Sequence, residues 1–229
     1  MAYVGGKSKC YLHITNILND PKYNGKVYLE PFVGMCHILK RIINKKKYIA
    51  SDINENLYVL LKGVQNKNDF CSISKRKYHQ LKNQPSSFEK SLAAFTYSYN
   101  GKEFGGYTKT DKNETRNYPE ERIRYYKFLQ ENETFKKTKF KNCAYNQWKP
   151  SNYLIYCDPP YKGTTDYSTN FDHVLFWNTI REWSKNNTVF VSEYTAPRDF
   201  KVVSKGEKYM SLSGSGSSDK RTEKLFQLR

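Results

Sequence analysis

The run Asn152-Tyr153-Leu154-Ile155-Tyr156-Cys157-Asp158-Pro159-Pro160-Tyr161 ends an apolar, β-prone stretch on a carboxylate, two prolines and an aromatic ring. Successive prolines supply no ladder N–H groups and hold φ near about −65°, so the strand must stop at Asp158 and the chain must leave in a fixed, extended direction. The acid is thereby presented at a strand end. In an open α/β sheet the carboxyl ends of the strands are where ligands sit, which makes Asp158 and Tyr161 candidate reaction-centre residues. Alone, the tetrapeptide reads equally well as a strand-to-turn junction carrying an incidental acid, and the rest of the chain must separate the two.

Two upstream stretches carry ligand-binding chemistry. Val27-Tyr28-Leu29-Glu30-Pro31-Phe32-Val33-Gly34 reads as a short strand entering a Pro/Gly loop, followed by a helix through Ile38, Leu39, Ile42 and Ile43. Tyr48-Ile49-Ala50-Ser51-Asp52-Ile53-Asn54 then reads as a second strand ending on an acid 18 residues after Gly34. A βαβ unit with a glycine at its first turn and an acid roughly 20 residues on is the arrangement that takes the hydroxyls of a nucleoside ribose. An adenosine-bearing cofactor is its natural occupant. At the start, Tyr3-Val4-Gly5-Gly6-Lys7-Ser8 is a glycine turn with a capping serine before a helix carrying Tyr11, Ile14, Ile17 and Leu18. Gly5 and Gly6 allow close backbone approach, and the new helix's N–H groups with Lys7 make a pocket for a carboxylate or phosphate. Most such turns are only turns.

The elements that must position these residues follow an α/β pattern with an interruption. Glu55 to Gln65 is a helix, with Leu57, Leu60, Leu61 and Val64 on one face. From there the strand-helix alternation lapses, and three parts are expected: 1–65 as the first catalytic and cofactor-binding part, 66–149 as an inserted, mostly helical target-recognition domain, and 150–229 as the second catalytic part. The insertion crowds basic residues at Lys75, Arg76, Lys77 and Lys82 and holds helices over Ser87 to Tyr97 and Pro119 to Leu129. Between them, Tyr99-Asn100-Gly101-Lys102-Glu103-Phe104-Gly105-Gly106-Tyr107-Thr108-Lys109 interleaves aromatics with bases. Such a loop can stack on bases or wedge into a duplex while its cations meet phosphates, which makes Tyr99, Lys102 and Lys109 candidate DNA contacts. A solvated loop whose tyrosines pack locally is the plain alternative. Strands are expected over Phe140 to Tyr145, Tyr153 to Cys157 and Thr188 to Tyr194, with a helix over Phe171 to Asn186. Phe200 to Val203 and Thr222 to Leu228 close the sheet as an antiparallel pair around the Ser211 to Ser218 linker.

Composition narrows the partner. In 229 residues, 39 Lys and Arg against 22 Asp and Glu leave a net charge of +17, a surplus that suits a polyanion and first of all nucleic acid. Five scattered cysteines with no Cys-x-x-Cys pair argue against a disulfide framework and a zinc cluster, and four histidines without ligand spacing add no metal site. With no apolar run approaching about 18 residues and no secretory leader pattern, a reducing cytoplasmic compartment and no membrane are expected.

The order Gly-Gly-Lys, Glu-Pro-Phe-Val-Gly, Ser-Asp-Ile-Asn, Tyr-Asn-Gly, Tyr-Cys-Asp-Pro-Pro-Tyr resembles the Dam-type family of S-adenosylmethionine-dependent DNA adenine-N6 methyltransferases over essentially the whole chain. The tail Lys220 to Phe226 resembles that family's last strand. The resemblance implies a Rossmann-like methyltransferase sheet with helices on both faces, S-adenosylmethionine as cofactor and double-stranded DNA as partner. Tyr3, Gly5 and Lys7 would help hold the cofactor. The turn of Glu30, Pro31, Phe32 and Gly34 would line its methionine part, and Asp52 would bind its ribose. Asp158, also at the cofactor, would form the adenine pocket with Pro159 and Tyr161, while Tyr99 and Asn100 match a segment that touches DNA beside the extruded base. Two departures stand out: Cys36 replaces a family glycine two positions after Gly34, and the segment after Gly101 is shorter than the Dam hairpin, so the recognition sequence is left open. An N4-cytosine or RNA adenine methyltransferase shares the amine chemistry, and a DNA-binding relative without catalysis is the rival from another class.

Overall fold

Seven stretches rich in β-branched and aromatic residues pair into one sheet: Val27–Glu30 (β1), Lys47–Asp52 (β2), Thr138–Asn142 (β3), Tyr153–Cys157 (β4), Thr188–Glu193 (β5), Phe200–Tyr209 (β6) and Lys220–Leu228 (β7). In the computed structural model their order is β3-β2-β1-β4-β5-β7-β6. Strands β3, β2, β1, β4 and β5 run parallel, while β7 lies antiparallel between β5 and β6. The structure describes residues 11–111, 113, 115–161, 171–209 and 220–229. The expected glycine turn with Tyr3, Gly5, Gly6 and Lys7, and the Ser211 to Ser218 linker, lie outside the described residues.

The central strands read as continuous apolar runs because both sheet faces are covered. Tyr28, Tyr48, Ala50, Leu154, Tyr156 and Phe190 point into one core, and Leu29, Ile49, Ile155, Cys157, Val189 and Val191 into the other, as the two-residue strand period requires. The second core is closed by His173–Ser184 (α7) through Phe176, Trp177, Ile180 and Trp183. The first is closed by Leu12–Leu18 (α1), Glu55–Gln65 (α2), Lys75–Leu81 (α3), Phe88–Thr96 (α4), Tyr118–Glu131 (α5) and Glu133–Lys137 (α6). Side chains cap these helices where the sequence stops being extended: Asn54 accepts from the Leu57 N–H at 2.9 Å, Ser87 from Lys90 at 3.1 Å and Asp172 from Leu175 at 2.9 Å. Among the described residues no helix is long and apolar enough to cross a membrane.

Residues 66–149 differ from the rest in surface composition, yet they build the same core. Tyr78, Leu92, Phe95, Tyr126, Leu129 and Phe135 bury their side chains with Tyr28 and Leu60. The strand expected at Phe140 to Tyr145 begins and ends earlier, and pairs Tyr48 with Thr138 through to Asp52 with Asn142. Helices α3 and α6 are additions that the apolar spacing did not announce, because each is only 7 or 5 residues long.

One expectation fails. The helix through Ile38, Leu39, Ile42 and Ile43 is a single 3-10 turn over Leu39–Arg41 within otherwise irregular chain. Ile42 already takes an extended backbone, φ −81° and ψ 129°, and Asn44 turns left-handed at φ 58°, so no helical run passes through Ile43. Ile38, Leu39 and Ile42 are nonetheless fully buried, so their spacing records an apolar loop pressed on the core.

Helix α2 meets α4 through a missing side chain. A Cβ placed on Gly63 would lie 2.0 Å from the Phe88 ring, and that ring is itself backed by Phe70 at 6.2 Å between centroids. Gly63→Ala would gain about 1 kcal/mol in helix propensity. The overpacking it forces costs about 1–3 kcal/mol. The expected result is a lower unfolding midpoint in a urea titration, and a midpoint at or above the wild type would show that the Phe88 ring swings aside freely.

Candidate active site

Strands β2, β1 and β4 are neighbours and parallel, so their carboxyl ends share one edge. Each ends on or just before an acid: Asp52, Glu30 and Asp158. Strand order reverses between β1 and β4, because the chain runs outward through β2 and β3 on one side and through β4 and β5 on the other. A crevice for a ligand opens at such a switch point.

Asp52 is the best-defined member. Its Oδ2 accepts the Gly34 N–H at 3.2 Å and its Oδ1 the Asn54 N–H at 3.0 Å. Its carbonyl accepts the Cys143 N–H at 3.2 Å and the Asn142 side-chain amide at 3.0 Å. The turn after β1, the end of β2 and the end of β3 therefore meet at one residue. Burial raises the Asp52 pKa above the ordinary carboxylate value, and the N–H groups of Asn54 and Gly34 offset part of that rise. The left-handed turn at Cys36 keeps the backbone that a glycine would adopt freely, with the thiol fully buried and its pKa pushed well up by desolvation.

Glu30 is 2 % exposed and its Oε2 accepts the Tyr28 hydroxyl at 2.7 Å. Phe32 goes to the opposite side, stacked on Tyr145 at 5.2 Å and edge-on to Phe171 and Phe176 at 6.0 and 5.8 Å. The turn of Glu30 to Gly34 thus divides its side chains between the two faces. Two groups near this edge were not singled out in the sequence: Ile53, 74 % exposed directly after Asp52, and Tyr145, just beyond β3 and stacked on Phe32. An aliphatic residue directly after a strand-end acid, before the capping Asn54, is the sequence signal that could have identified the first. The second depends on β3 pairing with β2, which no local pattern announces. A half-buried strand-end carboxylate, an exposed aliphatic side chain directly after it and an aromatic ring just beyond the neighbouring strand have the chemistry that fits an adenosine group.

Asp158 follows the last paired residues of β4. Beyond it Pro159 is buried and Tyr161 half-buried, with the Tyr161 ring edge-on to Tyr194 at 4.8 Å and 79°. Tyr194 follows β5, so the neighbouring strand end braces the tyrosine. Desolvation, and then the Asp158 charge, push the Tyr161 hydroxyl well above its usual pKa, so it stays a neutral phenol.

The loop with Tyr99 is seated on α3. The Tyr78 hydroxyl lies 2.7 Å from Ser98 Oγ and accepts the Gly106 N–H at 3.3 Å, and the Tyr78 ring meets Phe104 and Tyr107 at 5.2 and 5.4 Å. The exposed positions of α3 are Lys75, Arg76, Lys77, His79 and Gln80. Tyr99 itself is 59 % exposed on a turn where Asn100 takes φ 52° and Gly101 φ 67°. Lys102 and Lys109 are exposed on the same loop.

A parallel β3-β2-β1-β4-β5 sheet completed by an antiparallel β7-β6 edge, with acids at the carboxyl ends around the switch point, defines a Rossmann-like methyltransferase. The sequence matches the family model described as D12 class N6 adenine-specific DNA methyltransferase over residues 3–89 and 76–215, and the chain belongs to that family. Its methyl donor is S-adenosylmethionine. No curated protein matches the chain in sequence. Similar solved structures include the rRNA methyltransferase aviRa from Streptomyces viridochromogenes, at 12 % identity and TM-score 0.40 over 93 % of this chain and 81 % of that one. Another is SMU.1697c from Streptococcus mutans in complex with SAH, at 8 % identity and TM-score 0.39 over 93 % of both chains. A third, protein 1320 of Thermoplasma acidophilum, shows 9 % identity and TM-score 0.42 over 95 % of this chain and 85 % of that one.

Proposed function

We propose that the chain is a site-specific DNA adenine-N6 methyltransferase acting on a flipped-out base in duplex DNA. The observation that carries the reading beyond a methyltransferase of unspecified substrate is the basic helix α3 packed beneath a loop that exposes Tyr99, on a chain of net charge +17. The family description agrees with it.

The residues take the following parts. Asp52 accepts the ribose hydroxyls of the cofactor, with Ile53 and Tyr145 flanking its purine and Glu30, Pro31, Phe32 and Gly34 forming the turn beside it. When bound, S-adenosylmethionine supplies an electrophilic methyl group. The adenine amine is a poor nucleophile because its lone pair is shared with the ring. Hydrogen-bond acceptors on its two N–H bonds draw the nitrogen toward a tetrahedral form and free that pair. The Asp158 carboxylate and the Pro159 carbonyl are those acceptors, set one residue apart on a stiff turn, and Tyr161 stacks on the base. A base inside a duplex cannot reach this edge of the sheet, so it must be extruded at a cost of a few kcal/mol. Tyr99 and Asn100 offset that cost beside the vacated position, and Lys102, Lys109 and the α3 cations meet phosphates.

The test is to map modified bases in the DNA of an expressing host, and to follow tritiated methyl transfer to duplex DNA, single strands and RNA in vitro. N6-methyladenine in one sequence context, with duplex DNA the preferred acceptor, is the expected result. N4-methylcytosine, or label entering RNA alone, would replace the reading, and cofactor binding without transfer to any acceptor would mark a relative without catalysis.

A further inference from the structure

One carboxylate lies where a DNA-facing surface would ordinarily carry none. Glu103 sits in the Tyr99 to Lys109 loop between Lys102 and Phe104. Both of its oxygens are held from the start of α2: the side-chain amide of the N-cap residue Asn54 donates to Oε2 at 2.6 Å and the Asn56 amide to Oε1 at 2.6 Å. Asn54 is a joint between three parts of the structure. Its backbone N–H donates to Asp52 Oδ1 at 3.0 Å, its Oδ1 caps α2 through the Leu57 N–H at 2.9 Å, and its amide holds Glu103. Asn56 is steadied from behind, where Ser86 Oγ donates to its Oδ1 at 2.8 Å.

The loop needs such an anchor. Phe104 at φ 45° occupies the left-handed region, a conformation that for a bulky side chain persists only where the surroundings enforce it, and Asn100, a residue that tolerates it, lies there too at φ 52°. Tyr78 enforces it from α3, and Asn54, in the turn that follows β2, does so by holding Glu103.

We infer that Glu103 is a positioning residue that couples cofactor binding at Asp52 to DNA engagement by the Tyr99 loop; the inference rests on the duplex-DNA reading above. A ligand that fixes Asp52 fixes the Asn54 N–H bonded to it, and with it the orientation of the amide that grips Glu103. The loop is then ordered before DNA arrives. By linkage the effect is reciprocal, and DNA on the loop tightens the cofactor by the same factor. Two neutral amides hold the carboxylate, so the coupling is geometric and persists at salt concentrations that screen surface charge.

The experiment measures S-adenosylhomocysteine affinity with and without a short duplex carrying the methylated sequence, and duplex affinity with and without S-adenosylhomocysteine. For the wild type each ligand is expected to tighten the other about tenfold, inside the ~5–150-fold range usual for such couplings. In Glu103→Ala the factor falls below about twofold, with S-adenosylhomocysteine affinity in the absence of DNA unchanged and the thermal midpoint retained. Glu103→Gln keeps one acceptor oxygen and restores part of the coupling, which a merely packing role would not predict. Should Glu103→Ala unfold, Asn56→Ala removes one of the two donors from outside the loop and is expected to halve the logarithm of the factor. A wild type that binds both ligands independently, or a Glu103→Ala variant with full coupling, overturns the inference. Failure of the wild type to bind duplex DNA at all overturns the functional reading and this inference with it.

Discussion

Asp158→Ala is expected to lower the rate of methyl transfer by about a thousandfold, the upper part of the range for removing one preorganised hydrogen-bonding group from a reaction centre. The Pro159 carbonyl and the Tyr161 ring remain, so the base still docks, but one amine hydrogen loses its acceptor and the lone pair stays delocalised. The fold should survive, because Asp158 lies beyond the paired residues of β4 and its neighbours Pro159 and Pro160 set the direction of the chain. Single-turnover transfer of tritium to duplex DNA measures the rate, and calorimetry with S-adenosylhomocysteine should find cofactor affinity within about threefold of the wild type. Turnover near the wild-type value would remove Asp158 from the reaction. Asp158→Asn keeps a carbonyl acceptor and should lose less than the alanine variant.

The second large effect is expected at Asp52. Hydrogen bonds to a charged acceptor are worth about 1.5–3 kcal/mol, so Asp52→Ala should weaken the cofactor by about a hundredfold in a calorimetric titration. Unchanged affinity would take Asp52 out of the ribose role. The direction of its pKa shift adds a pH dependence. Burial raises the folded-state pKa, so the folded protein holds a proton on this group more tightly than the unfolded chain does. The ionised carboxylate therefore costs stability above that raised pKa, and the cost is relieved as pH falls through it. Cofactor binding runs the other way. Ribose hydroxyls favour the ionised form, so affinity should fall on acidification, beginning at a higher pH than an ordinary aspartate would give. The apo protein should carry no matching loss of stability from this group over the same interval, which separates the titration of Asp52 from general acid unfolding.

Much of the site is legible in local chemistry. Prolines after Asp158 end a strand whatever surrounds it, and the acid at Asp52 closes a short aromatic and aliphatic run, Tyr48 to Ala50, of strand length. Helices α2, α4, α5 and α7 announce themselves through apolar spacing and caps such as Asn54, Ser87 and Asp172. The misread segment at Ile38 to Ile43 shows the limit of that reasoning, since apolar spacing reports which residues are buried and not by which backbone. The extended backbone at Ile42 decided the matter, and an isoleucine gives no local warning of it. Residues 66–149 teach the same lesson at a larger scale. Their lysines set the stretch apart in composition, yet Tyr126, Phe135 and Phe140 fill the common core, because surface charge carries no information about what the opposite face of a helix or strand touches.

By itself the sequence determined the class of fold, the strand-end acids Asp52 and Asp158, and the aromatic, basic loop around Tyr99, because each follows from covalent geometry or from solvation over a few residues. Only the tertiary structure decided which strand ends adjoin, that Phe32 stacks on Tyr145, and that Glu103 reaches Asn54 across 49 residues of chain. Those contacts join distant parts of the chain, and they are chosen by the packing of whole elements against one another, a long-range balance that no local pattern of residue types encodes.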